Sequence, residues 1–199
     1  FWRLAVGSVL PQAFNMSVQG LWAGPWLSDV AGLERSGVAL HLLILGLATM
    51  LGFLFWGAFA TRMSRRGIQP ILVLIWATIA YMALQLLLVL EVTQMSWIIW
   101  IGWGLLGTSG SLAFSIISHS FPAQLTGRAT TALNLLAFLT AFACQWLFGI
   151  ILNHWDAAEG GGYAPEGYVC AFSIFLFLQV LGFTWMFLGY LKHQHAKKV

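Results

Sequence analysis

Gln12, Asn15, Gln19 and Trp22 stand three, four and three residues apart inside an otherwise apolar stretch. On an α-helix that spacing lines all four along one face. Amides donate and accept hydrogen bonds and an indole N–H donates, but none of them carries charge, so the chemistry they offer is recognition of a polar solute rather than acid–base work. An amide in hydrocarbon is costly unless hydrogen-bonded, which turns such a face toward a protein interior or a wet cavity. Hydrogen bonding between neighbouring helices is the competing use of the same residues. Cavity lining is favoured, with Gln12, Asn15 and Gln19 as its main polar groups.

Two further stripes carry small and polar residues together. Gly104, Thr108, Ser111 and Ser115 share one face of a later apolar stretch, with Gly107, Ser109, Gly110 and Ser118 nearby. Small residues let helices pack backbone to backbone, and packing accounts for most of them; the same stripe gives room to a solute or a moving neighbour. Asn134, Ala137, Ala141 and Gln145 repeat the pattern once more, which makes Asn134 and Gln145 secondary cavity candidates.

Other chemistry is poorly provided for. No Asp, Glu, Lys or Arg lies at the middle of an apolar stretch, where each would cost about 2.5–3.5 kcal/mol to insert and would mark an ion or proton path. His154, Asp156 and Glu159 lack the tight spacing of metal ligands and read as a solvated loop, and His193 and His195 read as a frayed tail among lysines. Gly102, Gly104 and Gly107 have a GxGxxG spacing but no preceding strand, so they make no dinucleotide site. Cys144 and Cys170 differ in depth by roughly 9 Å at 1.5 Å per residue, too far for a relaxed disulfide. No acid, base, nucleophile or metal cluster suggests an enzyme, and neither a metal nor a cofactor is expected.

The elements that must position these side chains are membrane helices. The chain has 199 residues, 60% hydrophobic and only 8% charged, a composition that a soluble fold could not hide from water. A helix needs ~20 apolar residues to cross a hydrocarbon core of ~30 Å. Segments 4–27, 37–61, 68–90, 96–118, 129–153 and 168–190 meet that length, giving an all-α membrane protein of six spans in one domain, with a tail at 191–199. Spans three and six are the blandest, offering Gln85 and Gln179 among long apolar runs, and suit lipid contact. Spans one and four are the most polar, and spans two and five carry basic signals near Arg62 and Arg128. This is a three-plus-three pattern of the kind that builds inverted-repeat transporters.

Charge sets the orientation. With the N-terminus in the cytoplasm, Arg3, Arg62, Arg65, Arg66, Arg128, Lys192, Lys197 and Lys198 face inward, and all six acids, Asp29, Glu34, Glu91, Asp156, Glu159 and Glu166, face outward. The net charge of +3 therefore reflects topology and not nucleic-acid binding. Trp22, Trp26, Trp97, Trp100 and Trp155 gather near the outer ends, where aromatic belts form. The chain begins at Phe1 and reads as a fragment lacking an N-terminal part.

The loop after span two, Gly57-Ala58-Phe59-Ala60-Thr61-Arg62-Met63-Ser64-Arg65-Arg66-Gly67, resembles the signature loop joining the second and third helices of each half in the major facilitator superfamily (MFS). Gly57, Arg62, Arg65 and Arg66 match it, Thr61 stands where the family has its acid, and Ser64 where it often has glycine. Phe121 to Ala129, followed by Asn134, resembles the short inner loop and start of the family's eleventh helix, and the Leu21 to Leu27 end of span one resembles the seventh. The resemblance covers essentially the whole chain as helices seven to twelve, the C-terminal half.

It implies a six-helix, 3+3 inverted-repeat bundle that rocks against an N-terminal half to move a small molecule by alternating access in a bacterial-type inner membrane. The central cavity would be lined by spans one and four, with Gln12, Asn15, Gln19, Trp22, Thr108, Ser111, Ser115, Asn134 and Gln145 as candidates. Gly57, Arg62, Arg65, Arg66 and Arg128 would belong to the inner gate. Without the family, the arginines pair with anionic headgroups or helix C-termini, and a plain topology anchor explains them as well as a gate does. The expected partners are the bilayer, the missing half and a small solute. The alternative is a stand-alone six-helix protein acting as a homodimeric structural or sensory module.

Overall fold

Prolines and one glycine punctuate the chain into long helices. The computed structural model describes residues 1–157 and 161–196, so Glu159, Gly160, Lys197 and Lys198 lie outside the described residues, as do the side chains of His193 and His195. The order is α1 (Trp2–Ser17), a π-helical turn (Val18–Trp22), α2 (Ala23–Asp29), α3 (Arg35–Arg65), α4 (Pro70–Val89), α5 (Ser96–Gly107), a 3₁₀ turn (Thr108–Gly110), α6 (Ser111–Ser120), α7 (Ala123–Leu152) and α8 (Pro165–Ala196). No strand occurs among the described residues. Pro70 and Pro165 open α4 and α8, where a missing N–H costs nothing. Gly67, at φ +80°, closes α3: its N–H reaches the Ser64 carbonyl at 3.0 Å and the Ile68 N–H reaches Met63 at 3.0 Å, the paired bonds of a left-handed helix cap. Glu91 closes α4 with the same bonds, to Leu88 and Leu87, but takes φ +52° without being glycine.

These pieces form six rods. Five of them, Arg35–Arg65, Pro70–Val89, Ser96–Ser120, Ala123–Leu152 and Pro165–Lys192, are each long and apolar enough to cross a bilayer. The first, Trp2–Asp29, reaches that length only by running α1, the π turn and α2 together. Pro25 gives the reason: it has no N–H for the Leu21 carbonyl and its ring crowds that carbonyl, so the turn before it widens. The Ala23 N–H bonds to Val18 five residues back.

The rods pack as two inverted triplets. α3 lies along α5 and α1 along α7, and exchanging the triplets turns one of these contacts into the other; α4 lies along α8 and maps onto itself. Spans two and five bury a single stripe each, His41, Leu45, Ala48, Gly52 and Trp56 on α3 and Ala129, Leu133, Ala137, Ala141, Cys144, Phe148 and Leu152 on α7. Spans one and four lie between them, span four along span two and span one along span five.

The core differs at its two ends. Toward the end bearing the acidic residues it is aromatic: Phe14 stacks on Phe175 with centroids 4.6 Å apart, Trp22 on Phe148 at 5.0 Å, and Trp26 meets Trp100 edge-on at 5.5 Å. Trp22, Trp26 and Trp100 are buried, so these rings are core and not an interfacial belt; Trp97 and Trp155 keep partial exposure. Toward the basic end the buried core is built from smaller residues, Ala5, Ala77, Ala113 and Ala137 among them, with Trp56 buried beside them and Phe59, Phe114 and Phe121 packed at its edge.

Gln85 and Gln179 do not meet lipid. Both are 0% exposed. The Gln85 amide donates to the Phe172 carbonyl at 2.9 Å, and the Gln179 amide donates to Gln85 Oε1 at 2.9 Å. Each stands roughly four turns into its helix, and the pair joins α4 to α8 where the triplets meet. The bland faces of spans three and six remain outward, Trp76 and Phe177 among them; the amides turn inward because hydrocarbon offers them no partner.

Candidate solute-facing site between the two interrupted helices

Among the described residues, spans one and four are the two rods in which α-helical hydrogen bonding is interrupted, and the interruption of span four packs on α1, ahead of span one's own interruption at Val18–Trp22. Asn15 lies directly on Gly107, whose missing side chain leaves the space that the amide fills; a Cβ there would overlap it. One turn along, Gln12 lies on Gly110, where a Cβ would come 2.8 Å from Gln12 Oε1. The glycines that suggested room for a solute therefore receive the polar stripe of span one. Asn15 is buried and its Oδ1 has no hydrogen-bond partner, while Gln12 and Gln19 are half-exposed on the open side.

The widened turn of span one approaches span five. A Cβ at Gly20 would stand 3.4 Å from Gln145 Nε2, and the Trp22 indole donates to the Gln145 carbonyl at 3.3 Å. Gly20 and Leu21, on this turn, are exposed. Gln145 is half-buried beside them and Asn134 is exposed further along α7.

Not every candidate joins this group. Thr108 points toward span two, where it fills the space above Gly52, and its hydroxyl donates to the Leu105 carbonyl at 2.8 Å. Trp22 is enclosed in the aromatic core except for its indole N–H contact. Ser111 is half-exposed and Ser115 exposed, on the same side as the α6 turns leading to the basic end. Gly57, Arg62, Arg65, Arg66 and Arg128 are all exposed at that end, with the Thr61 hydroxyl donating back to Gly57 at 2.9 Å.

Sequence reasoning gave no partner to three polar groups, two of them buried and the third half-buried. His41 is buried in α3; its Nδ1 lies 2.8 Å from the Gly37 carbonyl, which can only accept, and its Nε2 faces the Ser96 hydroxyl at 3.1 Å. The ring stacks on Trp97 with centroids 3.4 Å apart, so it ties span two to the start of span four. Tyr81 is buried against Trp103, and its hydroxyl, without a partner, borders a small enclosed void shared with Ser8, Gln12 and Ser109. Asp29 ties the end of α2 to the start of α8: its Oδ2 accepts from the Tyr168 hydroxyl at 2.7 Å and the Tyr163 N–H at 3.0 Å. Only the isolation of His41 in an apolar run could have signalled it, since its partner Ser96 lies 55 positions away.

An all-α bundle of two inverted helix triplets, five of its rods long and apolar enough to cross a bilayer, defines an integral membrane protein. No family model and no curated protein sequence matches the chain. Its backbone is similar to the inward-open conformation of the xylose transporter XylE from E. coli, with a TM-score of 0.68 and 14% identity over 94% of this chain. The chain spans 46% of that transporter's length. The fold is therefore MFS-like. Groups of three or more metal-ligating side chains are absent among the described residues.

Proposed function

We propose that the chain is the C-terminal six-helix half of an MFS secondary transporter, moving a small polar solute by alternating access. The observation that carries the reading is the meeting of the two interrupted helices, where Gln12 and Asn15 lie on the bare backbone of Gly110 and Gly107. Interrupted helices at the midplane between repeats are where secondary transporters hold their solutes, because unwound backbone and side-chain amides there can replace the solute's water. Gln12, Gln19 and Gln145 supply neutral hydrogen-bonding groups on the open side, with Ser111, Ser115 and Asn134 beyond them. The lack of a charged side chain among these favours an uncharged solute, and the likeness to a xylose transporter makes neutral sugars the first compounds to screen.

The open side of spans one and four is where an N-terminal half would complete the cavity, and the two halves would rock about it. With both termini in the cytoplasm of a bacterial-type inner membrane, Gly57, Arg62, Arg65, Arg66 and Arg128 flank the inner gate. The positive-inside distribution supports that orientation. The test uses the product of the complete gene in energised vesicles, with uptake of a solute found by the screen. Gln12→Ala, Asn15→Ala and Gln19→Ala together should raise KM at least tenfold while the protein still reaches the membrane. Unchanged uptake kinetics would overturn the assignment of the site.

A further inference from the structure

A groove runs along the outside of the bundle where the first, fifth and sixth spans meet, apart from the polar face described above. Its volume is about 450 Å³, with walls that include Val6, Leu10, Leu136 and Leu181. Apart from its two tryptophans, Thr140 carries the one polar side chain among the lining residues. The floor is a close approach of helices: a Cβ at Gly182 would lie 3.2 Å from the Val6 carbonyl oxygen. Trp2, 63% exposed, and Trp185, 45% exposed, stand at the basic end of the groove. From Trp2 to Leu10 it rises about 12 Å toward the middle of the bundle at 1.5 Å per residue.

Two cations lie at the same end of the bundle, outside the groove's own lining: Arg3, which borders the neighbouring cavity with Phe1, Leu4 and Gly189, and Lys192. The Arg3 side chain lies across the bare backbone of Gly189, where a Cβ would come 2.6 Å from Arg3 Cδ. Lys192 follows Trp185 by seven residues and so shares its helical face. Both are exposed.

We infer that this groove holds one acyl chain of an anionic phospholipid, with the headgroup phosphate against Arg3 and Lys192. An apolar channel that opens on the bilayer is filled by the hydrocarbon around it, and the acyl chain of a neighbouring lipid has the required length and chemistry. Interfacial tryptophans settle at the depth of the glycerol region, which sets the headgroup level with the two cations. Basic residues at the cytoplasmic ends of membrane helices select anionic over zwitterionic headgroups, and the guanidinium of Arg3 matches a phosphate in two-point geometry. The inference needs only a membrane protein and is independent of the transport reading.

The test places the protein in vesicles of phosphatidylcholine with a minor fraction of phosphatidylglycerol, bromine being carried on the acyl chains of either lipid in turn at equal mole fraction. Brominated phosphatidylglycerol should quench tryptophan fluorescence more strongly than brominated phosphatidylcholine, and the excess should disappear when Trp2 and Trp185 are both replaced by Phe. Each cation near an anionic headgroup contributes about fivefold. Arg3→Gln with Lys192→Gln should therefore lower the relative affinity for phosphatidylglycerol by roughly tenfold or more. Arg65→Gln with Arg66→Gln, at the same end but away from the groove, should leave it unchanged. Val6→Phe, which fills the groove with both cations in place, should abolish the excess, and it serves as the decisive variant should the Arg3/Lys192 pair prove necessary for folding. Equal quenching by the two brominated lipids overturns the inference. So does an equal loss in the Arg65/Arg66 variant, which would make the preference a property of the whole basic end.

Discussion

Gln85 and Gln179 provide a sharp test of how the two triplets are joined, because their hydrogen bonds are unequal. Gln85 makes two: it donates to the Phe172 carbonyl and accepts from Gln179. Gln179 makes that one, and its own Oε1 is buried without a partner. Gln85→Leu removes both bonds and leaves the whole Gln179 amide stranded in an apolar interior. Hydrogen bonds between membrane helices contribute on average about 0.6 kcal/mol and at most about 1.7, and stranding a buried polar group adds about 1–3 kcal/mol. The expected loss is about 2–3 kcal/mol. Gln179→Leu removes one bond and leaves Gln85 Oε1 unpaired, but it also removes an oxygen that was already unpaired, so the two strandings offset and its loss should be about 1 kcal/mol or less on the same scale. Replacing both by Leu strands nothing. The double variant should therefore lie near 1 kcal/mol, less destabilised than Gln85→Leu alone. Unfolding in mixed detergent and SDS micelles, followed by tryptophan fluorescence, gives the three differences. Equal losses for the two single variants, or a double variant that shows their sum, would refute the pairing.

Two other substitutions probe the backbone and the interrupted helices. Gly107→Ala puts a methyl where Asn15 lies, and overpacking of this kind costs about 1–3 kcal/mol; thermal unfolding in detergent should fall by several degrees, and adding Asn15→Ala should restore most of it. A drop that Asn15→Ala fails to relieve would show that the two residues do not meet. Glu91→Gly should stabilise the protein by about 1 kcal/mol, because a left-handed conformation costs a residue with a Cβ about that much. A destabilised Glu91→Gly variant would mean that Glu91 does not hold φ +52° in the protein.

Much of the fold was legible because hydrocarbon is an unforgiving solvent. Apolar runs of the right length, with charges only between them, leave helices as the one way to satisfy the backbone. The three-plus-three character showed in the same way, through polar spans one and four and bland spans three and six. The candidate site was legible as a stripe, since helical periodicity alone puts Gln12, Asn15 and Gln19 on one face. What each member of the stripe touches was not. Thr108 sits on the same face as Ser111 in sequence, yet it closes against Gly52 of the neighbouring helix, and Trp22 belongs to the aromatic core.

The sequence by itself determined the solvent, the number of rods and the faces that carry polar groups, because these depend on composition and on the period of the helix. Tertiary structure decided the pairings. Gln85 finds Gln179 at a separation of 94 positions, His41 finds Ser96 at 55, and Asp29 finds Tyr168 at 139. No local pattern encodes such partners: a buried amide, imidazole or carboxylate needs some hydrogen bond, but which one is fixed only when the helices choose their neighbours. The interruptions in spans one and four show the same division. Pro25 announces a disturbed turn, while the meeting of Asn15 with Gly107 exists only because the two helices cross there, close enough that a bare glycine backbone is the one surface an amide can lie on.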